Sequence, residues 1–405
     1  MKHIEVYILL IIISTTITSC VETFDFKTVS FNTNLVVRAV LTNELKQQTV
    51  ELSRTIPIDS TDLKPEKNAI VSITDDLGTI YNFQETNDGI YTSNIDFEAQ
   101  PNRLYTLNIQ TENGNTYNST SETLPPPSTI ENIEVNVEDN EIDQIQEVVI
   151  KTNSSISGDK GKYYRYEYAE TFKVKTPIWS PKKIVILSDV LPYAFDLVDK
   201  TPEVDGIGFC YGTLNSKNIL LTETVTLAQD QVVGFTVRKI PLNSYIVGRR
   251  YSILVKQYVI NKSTFDFYTL LNTFSNPDDI FSQTQVGNIP SNITSNTNPI
   301  EDKVIGFFEV SSIATKRIFF NRSEVTSAPF LNYLFAGNCV ERPNPEIVTS
   351  FGTSPLLDYL KNGYIYQGAP DTPIIPPNRP YALTIKPCGD CTHIGPVKPP
   401  NFWIE

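Results

Sequence analysis

The stretch AIVSITDDLGTIYNFQETNDGIYTSNI, residues 69–95, decides the fold. The run Ala69-Ile-Val-Ser-Ile73 alternates and meets Asp75-Asp76-Leu77-Gly78 before resuming over 79–84. Asn87-Asp88-Gly89 then leads into 90–95. A period of two, broken by Asp-Gly and Asn-Gly steps, is the pattern of antiparallel strands joined by tight hairpins. Asn and Gly supply the positive φ that such turns require. A calcium-binding EF-hand loop needs regular Asp/Asn alternation closed by a Glu, and none of these turns has it.

The pattern extends in both directions. Asn34-Leu-Val-Val-Arg-Ala-Val-Leu41 is a β-rich run, and 104–109 alternates into Glu112-Asn113-Gly114, after which a strand restarts at Thr116. Strands of this length and spacing predict an immunoglobulin-like β-sandwich over 34–124. Pro125-Pro126-Pro127 cannot enter a central strand, so 125–129 reads as a stiff linker. A larger second β-rich domain is expected over 130–405, with strands near 146–151, 162–174, 184–187, 219–227, 232–240 and 251–259. Ser263-Thr-Phe-Asp266 has the form of a capping box, and Phe267, Leu270, Leu271 and Phe274 repeat at helical spacing, predicting a helix near 263–275 that Pro277 ends. The polar stretch 283–300 reads as a long loop, and 304–310 and 316–320 as two more strands. The proline-rich C-terminal tail is expected to lie as irregular loops, pinned by cysteines and by Phe402 and Trp403. The fold class is therefore mainly β, with one or few helices.

The N-terminus carries its own message. Lys2 precedes an apolar run over 6–13, far short of the roughly 20 residues that span a bilayer. It ends in Ile17-Thr18-Ser19-Cys20. This is the form of a lipoprotein signal over 1–19, cut before Cys20, which then receives acyl chains such as palmitate. Each chain contributes about 0.8 kcal/mol per buried methylene. Residues 20–33 read as a tether. Glu22 and Asp25 within it suit either a surface-sorting signal or a solvated linker. The net charge of −13 argues against nucleic acid and against electrostatic adhesion to anionic headgroups.

Most familiar catalytic constellations are excluded. Of two histidines, His3 leaves with the signal, so His393 stands alone, and no metal site built on several imidazoles is possible. GxSxG and GxxxxGK[ST] motifs are missing, and Gly206-Ile-Gly208 breaks the GxGxxG spacing. No cofactor or metal is expected. A hydrolase using two carboxylates is the one enzymatic alternative, since 46 acidic residues neither name nor exclude a pair.

Besides Cys20 there are Cys210, Cys339, Cys388 and Cys391. The CxxC of Cys388 and Cys391 invites zinc or redox chemistry, but a four-cysteine zinc site usually has two such knuckles, and a thioredoxin-like motif sits between a strand and a helix. An even number of thiols in an exported chain points to disulfides tying the tail back to Cys339 or Cys210, with three pairings open. Tyr163, Tyr164, Tyr166 and Tyr168 make one strand tyrosine-rich. In an exposed groove Tyr164 and Tyr166 would bind sugar or peptide; as half-buried sheet packing they need no ligand.

Several segments together resemble a known family. They are the lipobox with Val21-Glu-Thr-Phe-Asp-Phe26, RRYSILVKQYVINKSTFDFYTLL (249–271), VGNIPSNI (286–293), VIGFFEVSSIATKRIFF (304–320), and Cys388-Gly-Asp-Cys391 with Phe402-Trp403. The set resembles the Bacteroidota lipoproteins catalogued as domain of unknown function 4249. The resemblance implies an outer-membrane lipoprotein facing the cell exterior, often encoded beside a TonB-dependent transporter. By analogy with the lipoprotein lids of starch-utilisation systems, it implies an accessory or lid subunit in nutrient capture, with a β-barrel partner and no catalytic residues. A stand-alone carbohydrate- or peptide-binding lipoprotein is the alternative.

Overall fold

The computed structural model describes residues 33–56, 64–155, 162–275, 291–328, 330, 339–371 and 377–405. The lipobox, Cys20 and most of the tether lie outside the described residues.

The chain is mainly β, as the alternation predicts. Leu35–Thr42, Ile70–Asp75 and Leu104–Gln110 each bury every second residue. Antiparallel pairing joins Leu35–Thr42 to Thr49–Arg54, then Ile90–Ser93, Ile80–Asn87, Ile70–Asp75, Leu104–Gln110 and Thr116–Ser119. One apolar core collects Leu35, Val37, Leu52, Ile73, Tyr91, Leu107 and Tyr117 from these strands. The hairpin at 75–79 is an Asx turn in which Asp75 Oδ1 accepts from the Leu77 and Thr79 amides at 3.0 and 2.8 Å, with Gly78 at φ +83°.

This sheet is not completed by residues 34–124. Ile293–Ser295, expected within a loop, pairs antiparallel with Thr116–Ser119, and Asn292 Nδ2 donates to Glu122 Oε1 and to the Phe308 carbonyl. Residues 304–310 and 316–320 form one strand, Val304–Asn321, where two were expected. Its first part runs parallel to Leu35–Thr42, and its second part, 312–321, pairs antiparallel with Arg250–Val259. The reason lies in its composition: 304–320 contains no proline, and its one glycine, Gly306, meets a register position where only a glycine fits. Among the described residues a single fifteen-stranded sheet therefore runs through both regions.

Beyond this strand the sheet continues through Arg250–Val259, Tyr163–Lys175 and Phe209–Asn215. A three-stranded sheet of Thr129–Asn140, Ile145–Ser155 and Gln231–Pro241 lies against that half. Ile133, Val148, Ile150, Tyr166, Val237, Ile240, Ile253 and Val255 fill the space between. The proline segment is fixed to the sheet: the Pro125 carbonyl accepts from Ser312 Oγ, and Ser128 Oγ accepts from Gln257 Nε2.

The expected helix is Lys262–Ser275, but the capping box is not what starts it. Ser263 already lies inside the helix, the Asn261 carbonyl accepts from the Phe265 amide, and Asp266 pairs with Lys262 at 2.6 Å. The tail is more regular than its prolines suggest. It holds a helix Pro355–Lys361, capped by Ser354 with Pro355 in its first turn, a hairpin of Tyr364–Gly368 and Ala382–Ile385, and a turn of helix Lys386–Gly389.

Candidate functional site

Three places bear on a possible site, and they differ in what they leave free. The first lies on Tyr163–Lys175. Tyr164 and Tyr166, the tyrosines expected to face a ligand, are each 1% exposed. Tyr164 donates to Asp230 Oδ1 at 2.6 Å. Tyr166 donates to Gln257 Oε1 at 2.8 Å and stacks on Phe235 at 4.7 Å. Burial pushes both hydroxyls above their ordinary range, and beside Tyr164 the Asp230 carboxylate adds to the push. The ligand-binding expectation for this pair is corrected: they pack the second core, because the three-stranded sheet covers the face on which they stand.

The second place is where two carboxylates converge. On the opposite face of the same strand, Arg165 pairs with Glu309 at 3.0 Å and with Glu167, and its guanidinium lies 4.1 Å from the centre of the Tyr258 ring and 5.0 Å from that of Tyr268. Burial pushes the Glu167 carboxyl up, but the Arg165 charge and hydrogen bond outweigh it and hold the group below the ordinary carboxylate range. Glu309 is fully buried. A general acid needs a raised pKa, and the Arg165 guanidinium pushes Glu167 the other way. The adjoining cavity, about 150 Å³, is also smaller than the usual ligand pocket of roughly 300–1,000 Å³. This arrangement is structural.

The third place is a cavity of about 790 Å³ beside the tail. Strand pairing builds it. Phe209–Asn215 lies against Tyr163–Lys175, setting Lys173 opposite Tyr211. Phe172 and Val174 point into the core, so Lys173 takes the other face. Arg250 pairs with Asn321 at the end of the adjacent ladder, and the Arg322 amide donates to the Arg249 carbonyl at 2.8 Å. Lys173, Arg249, Arg250 and Arg322 thereby reach one wall, with Phe209 and Glu405.

Each cation is held differently. Lys173 pairs with Glu405 at 2.9 and 2.8 Å, and Arg250 Nε donates to the Ile404 carbonyl. Arg322 donates to the carbonyls of Leu242, Ala328 and Val247 at 2.8, 3.1 and 3.3 Å, and burial without a carboxylate partner lowers its pKa. Arg249 lies 5.7 Å from the centre of the Phe209 ring, and its Nε is buried with no hydrogen-bond partner among the described residues. The Lys173 ammonium, followed by the Tyr211 hydroxyl, holds the Glu405 carboxyl below its ordinary range. Burial, reinforced by Glu405, pushes the Tyr211 hydroxyl up to about 12.

The tail that carries Glu405 is fastened by the cysteines. Cys210 bonds Cys391 and Cys339 bonds Cys388, each with Cα atoms 5.7 Å apart. The CxxC thus splits between two partners, one of them on the Phe209–Asn215 strand that walls the cavity. Trp403 packs edge-on against Tyr211 and Phe319, and Arg317 lies over the Phe402 ring at 3.6 Å. Among the described residues no group of three His, Cys, Asp or Glu side chains is arranged to hold a metal. None of their helices is long and apolar enough to cross a membrane.

Arg249 and Arg250 open the family-like stretch 249–271, which by itself gives them no role. The available signal was a pair of adjacent arginines opening a strand in an acidic chain. Arg322 and Lys173 carry no local signal, because pairing across the sheet brings them there.

A family model described as Domain of unknown function (DUF4249) matches residues 21–317. No curated protein matches the chain.

Proposed function

This chain belongs to that family of unknown function, and from this premise we propose that it is a non-catalytic, lipid-anchored surface protein of the outer membrane, an accessory or lid subunit of a TonB-dependent transporter. The anchor is Cys20, which the lipobox marks for acylation and which lies outside the described residues. The membrane link is the lipid, since the net charge of −13 disfavours anionic headgroups. A subunit that captures cargo needs a rigid frame and a cavity that stays open.

The observation that carries the reading is the tail-side cavity. It is built on the rim of one sheet and walled by a tail tied down through Cys210–Cys391, while Glu309 and Glu170 are engaged elsewhere, in pairs with Arg165 and Arg238. Extraction of the lipidated protein from native outer membranes in mild detergent tests the role. Recovery of a β-barrel protein in comparable amount supports it, and recovery of the lipoprotein alone overturns it. The stand-alone carbohydrate- or peptide-binding alternative has lost Tyr164 and Tyr166 as its contact residues, and at Arg165 the hydrolase alternative meets Glu167, whose pKa is pushed down, not up.

A further inference from the structure

We propose that the tail-side cavity binds a small organic anion, an oxyanion such as a carboxylate or phosphate on an apolar or aromatic body, with Arg249 as the residue that pairs the oxyanion. The inference deepens the binding reading above and rests on it.

Four cationic side chains line the cavity against one acidic side chain, Glu405, although the chain as a whole carries a charge of −13. An acidic protein that gathers uncompensated positive charge on one concave wall focuses anions there. Three of the four cations are already engaged: Lys173 with Glu405, Arg250 with the Ile404 carbonyl, and Arg322 with three backbone carbonyls. Arg249 differs. No hydrogen bond or ion pair joins its side chain to the described residues, its Nε is buried, and the Phe209 ring beneath supports the guanidinium. A guanidinium presents five N–H donors in a planar fork, which suits a carboxylate or phosphate bidentately. The terminal N–H groups of Arg249, which lines the cavity, have no partner among the described residues, so an incoming oxyanion finds donors waiting.

The apolar part of the ligand has its own wall. Phe209 lines one side, and Phe330 packs so tightly on Gly248 that a Cβ there would lie 2.7 Å from the ring. At about 790 Å³ the cavity falls within the size range of small-molecule sites. Glu405 is the internal competitor. Held ionised on Lys173, its carboxylate occupies part of the positive field that the ligand would use.

Isothermal titration of the full lipidated protein, with benzoate, phenyl phosphate and neutral benzamide as probes in the same detergent, tests this. At least one of the two anions should bind about tenfold or more tightly than benzamide, and rising salt should weaken it. The better anion of the two identifies which oxyanion the fork prefers. R249Q should lose about tenfold with the melting temperature unchanged, R249K should recover part of that, and E405Q should gain severalfold. The proposal is overturned if benzamide binds as well as both anions, if no probe binds, or if R249Q and E405Q leave the affinities unchanged. Because Glu405 is largely exposed, E405Q reads the site even if R249Q fails to fold. No transporter enters this measurement, so the anion site and the accessory role can fail separately.

Discussion

Arg165 Nη2 and Glu309 Oε1 meet at 3.0 Å beside the point where Val304–Asn321 passes from parallel pairing with Leu35–Thr42 to antiparallel pairing with Arg250–Val259. Their side chains are 6% and 0% exposed, so the pair sits between the two halves of the molecule and out of water. Removing one partner of a buried pair leaves an uncompensated charge. R165M, which strands the fully buried Glu309, should therefore cost about 3–5 kcal/mol, read as a lowered urea midpoint. Replacing both residues together, as R165M with E309L, should cost less than R165M alone. A double variant less stable than the single one would contradict this.

Acid should loosen the same junction through Glu167. Its pKa is held below the ordinary carboxylate range by Arg165 against the opposing effect of burial. A carboxylate with a depressed folded-state pKa contributes stability above its unfolded pKa, and that contribution disappears as pH falls through the folded value. Melting temperature measured downward from neutral pH should drop on the acid side of about pH 4–5, and E167Q should make the curve shallower there. Glu122 has the opposite sign: burial raises its pKa, so its protonation favours the fold as pH falls. The E122Q curve should accordingly be steeper than that of the parent.

The tail staple predicts a specific cross-link map. Mass spectrometry of unreduced digests should give Cys210 joined to Cys391 and Cys339 joined to Cys388. The exchanged pairing, or free thiols at Cys388 and Cys391, would contradict it. The bonds close sequence separations of 181 and 49 residues. Replacing Cys210 and Cys391 together by Ser should cost about 2–5 kcal/mol and release the tail from the cavity wall.

Two glycines separate conformational cost from collision. Gly306 has φ +129°, and a Cβ there would stand 1.9 Å from the Val37 carbonyl oxygen, its parallel partner in the ladder. G306A should cost on the order of 4 kcal/mol or more, since backbone must move on both strands. Gly78 has φ +83° with nothing within 4 Å, so G78A should cost only about 1–2 kcal/mol. Equal losses of stability for the two variants would contradict the register at Gly306.

The strands that alternate were readable from residues alone: Val71 and Ile73, and Tyr105, Leu107 and Ile109, are buried because one face of each strand meets a core, while Ile70 and Leu104 at the strand starts stay exposed. Long-range partners were not. Nothing local in Ile293–Ser295 says that it adds an edge to Thr116–Ser119, and nothing in Val304–Asn321 says that one strand serves both halves. Tyr164 and Tyr166 illustrate the same limit, for a tyrosine at a given position reads alike whether the next sheet covers it or solvent does. The cavity lay deeper still, since Lys173, Arg249 and Arg322 are far apart in sequence and are gathered only by strand pairing.

The proposed role sets this protein beside a β-barrel. The most direct measurement is the native mass of the assembly extracted from the outer membrane with Cys20 intact. The account predicts a mass equal to the acylated lipoprotein plus one outer-membrane β-barrel protein at comparable stoichiometry. A mass equal to the acylated lipoprotein alone, under extraction conditions that keep other outer-membrane complexes together, would contradict it.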